Sequence, residues 1–417
     1  MRIWLANHYA VPTNIAGITR HYELAYEWAT KNKADVVVWN SNFLHPRRTY
    51  ITPEEKQGFD KPDNLEMTWL WSFPHQKNDV RRMLNMATFT VNFFFKALFR
   101  KKPDIFIGSS PHIFTPFAAC ILAKFKQIPF IVEIRDLWPD SLTETGELTN
   151  PLLVKMLTWM ESFLYRHSDK IVVLTEYQRR FIHEKKGIPL EKIDLIPNGI
   201  VVGSWKKDPA RRAEYRRKMG IPEDHFIAIY TGAHGPVNAL HHVVKAARYL
   251  PKDVSIVFIG DGPEKENLIN LKKEEGLENV HFLDPVPKSE IFHYTEAADC
   301  GIISLSDNFV FRGARPNKLF DYAFVGKPII TSVDGEVREI VEKNELGFFA
   351  GTENPKGIAD AILRARQLKP EQLEKIAENG LDYIEQEGNR QKLAQKYYEI
   401  MEKLIEELSV EETSPAS

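Results

Sequence analysis

Phe130-Ile131-Val132-Glu133-Ile134-Arg135-Asp136-Leu137-Trp138-Pro139-Asp140 decides how the chain is read. Its first five residues form a near-continuous run of Phe, Ile and Val, as in a parallel strand buried on both faces. The strand then runs straight into Arg135 and Asp136, which places charge where a sheet ends. Similar runs stand at Ile3–Ala6, Val36–Trp39, Ile105–Gly108, Ile171–Leu174 and Ile193–Ile196. Between them, His21–Thr30 and Phe117–Lys126 carry apolar residues at helical spacing. The alternation predicts βαβ units and a doubly wound α/β fold.

The second half repeats the architecture without repeating the letters. Runs occur at Ile227–Tyr230, Ser255–Ile259, Val280–Leu283, Gly301–Ser304, Pro328–Thr331 and Phe348–Phe349, with helical stretches at His241–Leu250, Lys265–Glu274 and Lys356–Arg366. Pro197-Asn198-Gly199 is a turn signal, and the polar, basic Lys206–Lys218 follows it. A hinge is therefore expected within Pro197–Pro222, between two Rossmann-like domains facing across a cleft. The predicted divisions are 1–199, 200–380 and a C-terminal helix and tail, 381–417, that packs back on the first domain. Glu411–Ser417 reads as a disordered end.

Composition narrows the class. The chain has 417 residues, 43% hydrophobic and 27% charged, with a formal net charge of −2. Two or three domains fit at about 150 residues each. Near-neutrality argues against a nucleic-acid-coating protein. Cys120 and Cys300 exclude a disulfide framework, and neither has a nearby Cys or His at metal-ligand spacing, so no structural zinc is expected. Met1–Asn7 is too short for a signal h-region. Met83–Phe99, the longest apolar candidate for a membrane span, is interrupted by Asn85, Asn92 and Lys96. A cytoplasmic protein is expected.

Four loops carry chemistry. Gly17 lies in the turn after the first strand, where amides and the following helix N-terminus favour an anion. Gly232 and Gly235 flank His234 after the first strand of the second domain, a position suited to phosphate or sugar. Gly260-Asp261-Gly262-Pro263 allows a sharp turn at the carboxyl edge. Phe311–Pro328 is the densest signal. In it, Arg312 and Lys318 can neutralise a diphosphate, and the Gly313 and Ala314 amides can face an anion. A helix beginning with Pro316 at its first position would then carry Asn317 and Asp321, whose carboxylate can accept two ribose hydroxyls. In the first domain, Glu133, Arg135 and Asp136 need polar partners at the sheet edge, supplied by substrate or by each other. Arg81–Lys102 is basic at both ends around Phe89, Phe93, Phe94, Phe95, Leu98 and Phe99. Its apolar face reads as packing, and its basic ends suit the inner face of a membrane.

Taken in order, Arg20–Ala25, Glu133–Pro139, Asp169–Thr175, Ile196–Ile200, Tyr230–Asn238 and Pro316–Pro328 resemble the retaining glycosyltransferases of family 4, which have the GT-B fold. Within that family the chain looks most like the branch that builds O-antigen and capsule, such as N-acetyl-fucosaminyl transferases. The resemblance implies a UDP-sugar donor as substrate, no cofactor, no metal, and a lipid-linked or saccharide acceptor. It implies donor contacts from Gly17, Gly232, His234, Arg312, Gly313, Ala314, Asn317, Lys318 and Asp321. Acceptor contacts would come from Arg20, Glu133, Arg135 and Trp138, and the catalytic groups would be Asp136, Arg312 and Lys318. The family's first motif carboxylate is replaced by Gly313, its phosphate-binding Arg and Lys are absent from Gly232–Asn238, and its His before Asp136 is replaced by Arg135. A UDP-sugar 2-epimerase and a non-catalytic binding subunit remain rival readings on the same fold.

Overall fold

The buried apolar runs form the strands of two parallel sheets. A computed structural model describes residues 1–413 apart from Ala16, Pro46, Lys77, Asn78 and Ser204. Two compact units emerge, one made of Met1–Pro197 with Arg390–Ser417, the other of Asn198–Asn389.

The first unit holds β1 (Arg2–Ala6), β2 (Asp35–Ser41), a small hairpin β3 (Phe43–Leu44) and β4 (Thr49–Tyr50), β5 (Leu65–Leu70), β6 (Ile105–Ser109), β7 (Phe130–Ile134), β8 (Lys170–Val173) and β9 (Ile193–Leu195). Seven of these form a parallel sheet in the order β5-β2-β1-β6-β7-β8-β9. The sequence reading misses β5, because Leu65–Leu70 alternates buried and exposed positions at the sheet edge instead of running continuously apolar. Trp4, Trp39, Phe89, Phe93 and Phe106 are fully buried and pack one face of the sheet. Truncating such an aromatic costs about 3–5 kcal/mol.

The C-terminal helix Arg390–Thr413 packs on the helix Arg20–Thr30 of this unit. Trp28 Nε1 donates to the Ala394 carbonyl at 2.8 Å, and Arg390 Nε donates to Glu23 Oε2 at 2.9 Å, with both charged groups buried. The chain stays in the second unit through Asn389, beyond the expected division at 380. Residues 411–413 continue the helix instead of fraying, and the rest of the expected disordered end lies outside the described residues.

The second unit contains β10 (Phe226–Thr231), β11 (Val254–Ile259), β12 (Val280–Leu283), β13 (Cys300–Ile303), β14 (Ile329–Thr331) and β15 (Gly347–Phe349). They form a parallel sheet in the order β12-β11-β10-β13-β14-β15. The chain winds outward from β10 in one direction, then returns to β13 and winds in the other. The carboxyl ends of β10 and β13 therefore flank the topological switch point, where doubly wound folds bind ligands. The residues of the predicted hinge beyond Pro197 belong to this unit, with Tyr215 and Met219 in its core.

Candidate functional site

At the switch point the loops after β10 and β11 are knitted together. His234 N–H donates to the Asp261 carbonyl at 2.8 Å, and Glu264 N–H donates to the His234 carbonyl at 2.9 Å. A Cβ on Gly260 would fall 1.9 Å from the Gly232 carbonyl oxygen, so the loops meet this closely only because Gly260 has no side chain.

The helix Asn317–Val325 approaches the same edge. Pro316 has ψ 151°, so it caps the helix, which begins at Asn317 and not at Pro316 as expected. Lys318, in the first turn, is half-buried, with its ammonium 4.7 Å from the centroid of the Tyr230 ring. The same ammonium would lie 3.2 Å from a Cβ on Gly232. Burial lowers the Lys318 amine to about 8, against the opposing effect of Asp321. Asp321 is itself buried, one turn further along. Gly232, Lys318 and Asp321 are thus brought together as a cation and a carboxylate beside a side-chain-free stretch of backbone. That arrangement can hold a diphosphate next to a diol.

The neighbouring expectations fare differently. Arg312 is exposed, 3.9 Å from Asp307, in the 3₁₀ turn Phe309–Gly313. Gly313 is buried. The Ala314 amide donates to the Phe311 carbonyl at 3.0 Å, so it does not point to a ligand as expected. Asn317 is exposed. His234 is a correction: its side chain is 0% exposed among Tyr230, Phe258 and Phe282, and neither ring nitrogen has a hydrogen-bond partner. Burial lowers the imidazole to about 4, so the ring is neutral and supports the loop from behind. Arg315, which the sequence reading passed over, is held by Glu336 and accepts from Asn198 Nδ2 through its carbonyl. A cavity of about 580 Å³ in this unit runs along the edge strand β15 between Phe349 and Lys375, away from these loops.

In the first unit, Arg20 and Glu133 are also corrected. Arg20 Nη2 donates to Glu133 Oε2 at 2.9 Å, and its other donors reach the Ile196 and Pro197 carbonyls. Glu133 Oε1 accepts from Ser109 Oγ at 2.9 Å and lies 2.9 Å from His21 Nε2. The side chains are 3% and 1% exposed, so they pair with each other and not with an acceptor. Burial alone would raise the Glu133 carboxyl, but Arg20, then His21 and Arg135, hold it well below the usual carboxylate range. Burial lowers His21 to about 4.

Two residues beyond β7 the side chains reach solvent. Asp136 is exposed, and Arg135 and Trp138 are half-buried. Arg135 N–H donates to Ser110 Oγ and its carbonyl accepts from Gln178 Nε2, both at 2.8 Å. Asp136 and Trp138 line a small cavity with Ser110, Pro111 and Tyr165. Gly17 is exposed in its turn, where a Cβ would press on Val11 Cγ2 at 2.8 Å; its neighbour Ala16 lies outside the described residues.

Comparison with known proteins identifies this pairing of units. Residues 16–199 match the family described as Glycosyl transferase 4-like domain, and residues 211–382 match Glycosyl transferases group 1. The chain is 23% identical over 326 residues to the colanic acid biosynthesis glycosyl transferase WcaI of Escherichia coli K12, covering 75% of this chain and 78% of that one. It is 28% identical over 221 residues to the O-antigen biosynthesis glycosyltransferase WclY of Escherichia coli, covering 52% and 58%. The crystal structure of Anabaena Alr3699/HepE in complex with UDP-glucose superposes with a TM-score of 0.73 at 15% identity, covering 97% of this chain and all of that one. The two parallel-sheet Rossmann-like units are those of the GT-B class. The chain belongs with the glycosyltransferases, as a glycosyl transferase 4-like domain followed by a glycosyl transferases group 1 domain.

Proposed function

We propose that the protein is a retaining, metal-independent glycosyltransferase using a UDP-sugar, with an N-acetylated hexosamine or deoxyhexosamine as the sugar. It passes that sugar to a lipid-linked or saccharide acceptor in cell-surface polysaccharide synthesis. The bond from the anomeric carbon to the diphosphate breaks, and a bond to an acceptor oxygen forms on the same face. The acceptor hydroxyl loses its proton. Lys318 and Arg312 carry the charge that grows on the departing diphosphate, and electrostatic stabilisation of this kind supplies a large part of catalysis. Asp321 takes the ribose hydroxyls. In the first unit, Asp136 is the catalytic group, and Arg135 and Trp138 contact the acceptor.

The observation that carries this reading is the Lys318 ammonium above Tyr230 and beside Gly232, with Asp321 one turn away. The polysaccharide context is supported by WcaI and WclY, and the UDP-sugar by the complex of Alr3699/HepE.

The helix Val80–Leu98 supports contact with the inner face of the membrane. Among the described residues no helix is long and apolar enough to cross one. Phe89 and Phe93 are buried in the core, but Val91, Phe95 and, just past the helix, Phe99 are exposed. Phe125 stands exposed on the adjoining helix Phe114–Lys126. Lys101 and Lys102 are exposed beside Phe99, whereas Arg100 is paired with Glu66.

A thermal-shift screen of nucleotide sugars tests the function. One UDP-sugar should raise Tm, with the shift lost in Lys318→Met. Equal shifts in both proteins, or none, would contradict the assignment. Incubation with UDP-N-acetylglucosamine alone should yield only slow hydrolysis; a new nucleotide sugar would make the protein an epimerase.

A further inference from the structure

Four adjacent strands of the first unit each deliver one histidine to the carboxyl edge of the sheet. In the spatial order β5-β2-β1-β6, His75 follows its strand by five residues, His45 by four, His8 by two and His112 by three. The side chains meet. His8 Nδ1 lies 2.8 Å from His112 Nε2, and His45 Nδ1 lies 3.2 Å from His75 Nε2. Tyr9 joins the two pairs, with its ring 5.3 Å from His45 and 5.8 Å from His112, and it stacks on His8 at 4.4 Å. Arg82, in the first turn of Val80–Leu98, acts electrostatically on His8, Tyr9, His45 and His112.

This cluster is short of partners. His8 and His112 are 2% and 1% exposed, yet His8 Nε2 and His112 Nδ1 have no hydrogen-bond partner, and neither does Arg82 Nε, while the Tyr9 hydroxyl is held by the Arg82 side chain. Among the described residues, the charged or titratable groups that act most on His8, His45 and His112 are one another, His75, Arg82 and Arg48. Tyr9, His45 and Arg82 are partly exposed, so the cluster reaches solvent. Burial, followed by the neighbouring basic groups, keeps the three imidazoles neutral: His8 is held well below its usual value, and His45 and His112 near about 3. Among the described residues no three His, Cys, Asp or Glu side chains are placed to hold a metal ion.

We propose that the row His8, His45, His75 and His112, with Tyr9 and Arg82, is a subsite for a phosphate group carried by the acceptor. The proposal rests on the glycosyltransferase reading. One fixed cation and several N–H or O–H donors from separate loops suit a phosphate, whose oxygens accept from many directions. A carboxylate offers two oxygens, which a single guanidinium can satisfy.

The test is calorimetric titration of geranyl diphosphate, inorganic phosphate and glucuronate into the full chain saturated with UDP. Wild-type protein is compared with Arg82→Gln and His45→Gln, both at partly exposed positions, and Tm confirms folding. Geranyl diphosphate should bind and weaken at least tenfold in both variants, with UDP affinity unchanged. Equal affinity in wild type and variants overturns the site. Inorganic phosphate binding as tightly as geranyl diphosphate would make it a free-ion site and overturn the acceptor assignment. Glucuronate binding as tightly would overturn the choice of phosphate. If UDP itself fails to bind, the glycosyltransferase reading falls; geranyl diphosphate binding that is still lost in Arg82→Gln would leave the phosphate site standing.

Discussion

The Lys318 ammonium lies over the face of Tyr230, 4.7 Å from the ring centroid, at the carboxyl end of the first strand of the second unit. Burial lowers the amine to about 8 against the pull of Asp321, while the ring face favours its charged form, so it is poised to meet an anion. The amine is charged below about pH 8 and neutral above it, and a diphosphate binds the charged form. UDP affinity should therefore be flat at lower pH and fall as pH rises through about 8, by up to about tenfold per pH unit. Lys318→Met should weaken UDP and flatten this profile. Calorimetry across pH 6.5 to 9.5 checks it (roughly 1.5 units either side).

His234 separates support from contact. Its ring is neutral, buried and without a hydrogen-bond partner on either nitrogen. Replacing such a group with an apolar one of similar size is often neutral. His234→Leu should change stability by less than about 1.5 kcal/mol and leave UDP affinity within about twofold. A large loss of UDP binding in a folded variant would restore a direct donor role.

Arg20 and Glu133 form a buried ion pair. Arg20→Met should leave the Glu133 carboxylate without its cation and cost about 3–5 kcal/mol in urea unfolding. The Glu133 carboxyl is depressed in the folded protein, so its contribution is complete above its unfolded value of 4.5 and is lost as pH falls below it. The stability gap between wild type and Arg20→Met should therefore narrow in acid. A gap independent of pH would contradict the pairing.

Lys101→Glu with Lys102→Glu should reduce sedimentation with anionic vesicles, at about 1 kcal/mol per basic residue. Phe99→Ala with Phe125→Ala should reduce it too, and neutral vesicles should bind weakly throughout. Unchanged sedimentation of both variants would remove the membrane reading.

The strands were legible because buried parallel strands are written as unbroken apolar runs, and Lys265–Glu274 is a helix with the expected ends. Leu65–Leu70 was not legible, because an edge strand alternates. Lys318 and Asp321 stood out through their basic, glycine-rich loop. What Lys318 faces did not, since Tyr230 lies far away in sequence. Arg20 and Glu133 looked like sheet-edge charges, and only the fold shows that they neutralise each other across 113 residues. The histidine row was hidden for the same reason: its members come from four strands, and His8 and His112 are 104 residues apart.

The most direct test of the donor site is titration of UDP into wild-type protein and Asp321→Asn, with Tm measured for both. Wild type should show saturable binding, and Asp321→Asn should bind at least about tenfold more weakly at an unchanged Tm, as expected for a lost charge-assisted contact. Absence of saturable UDP binding to wild type, or equal affinity in the two proteins, would contradict the account.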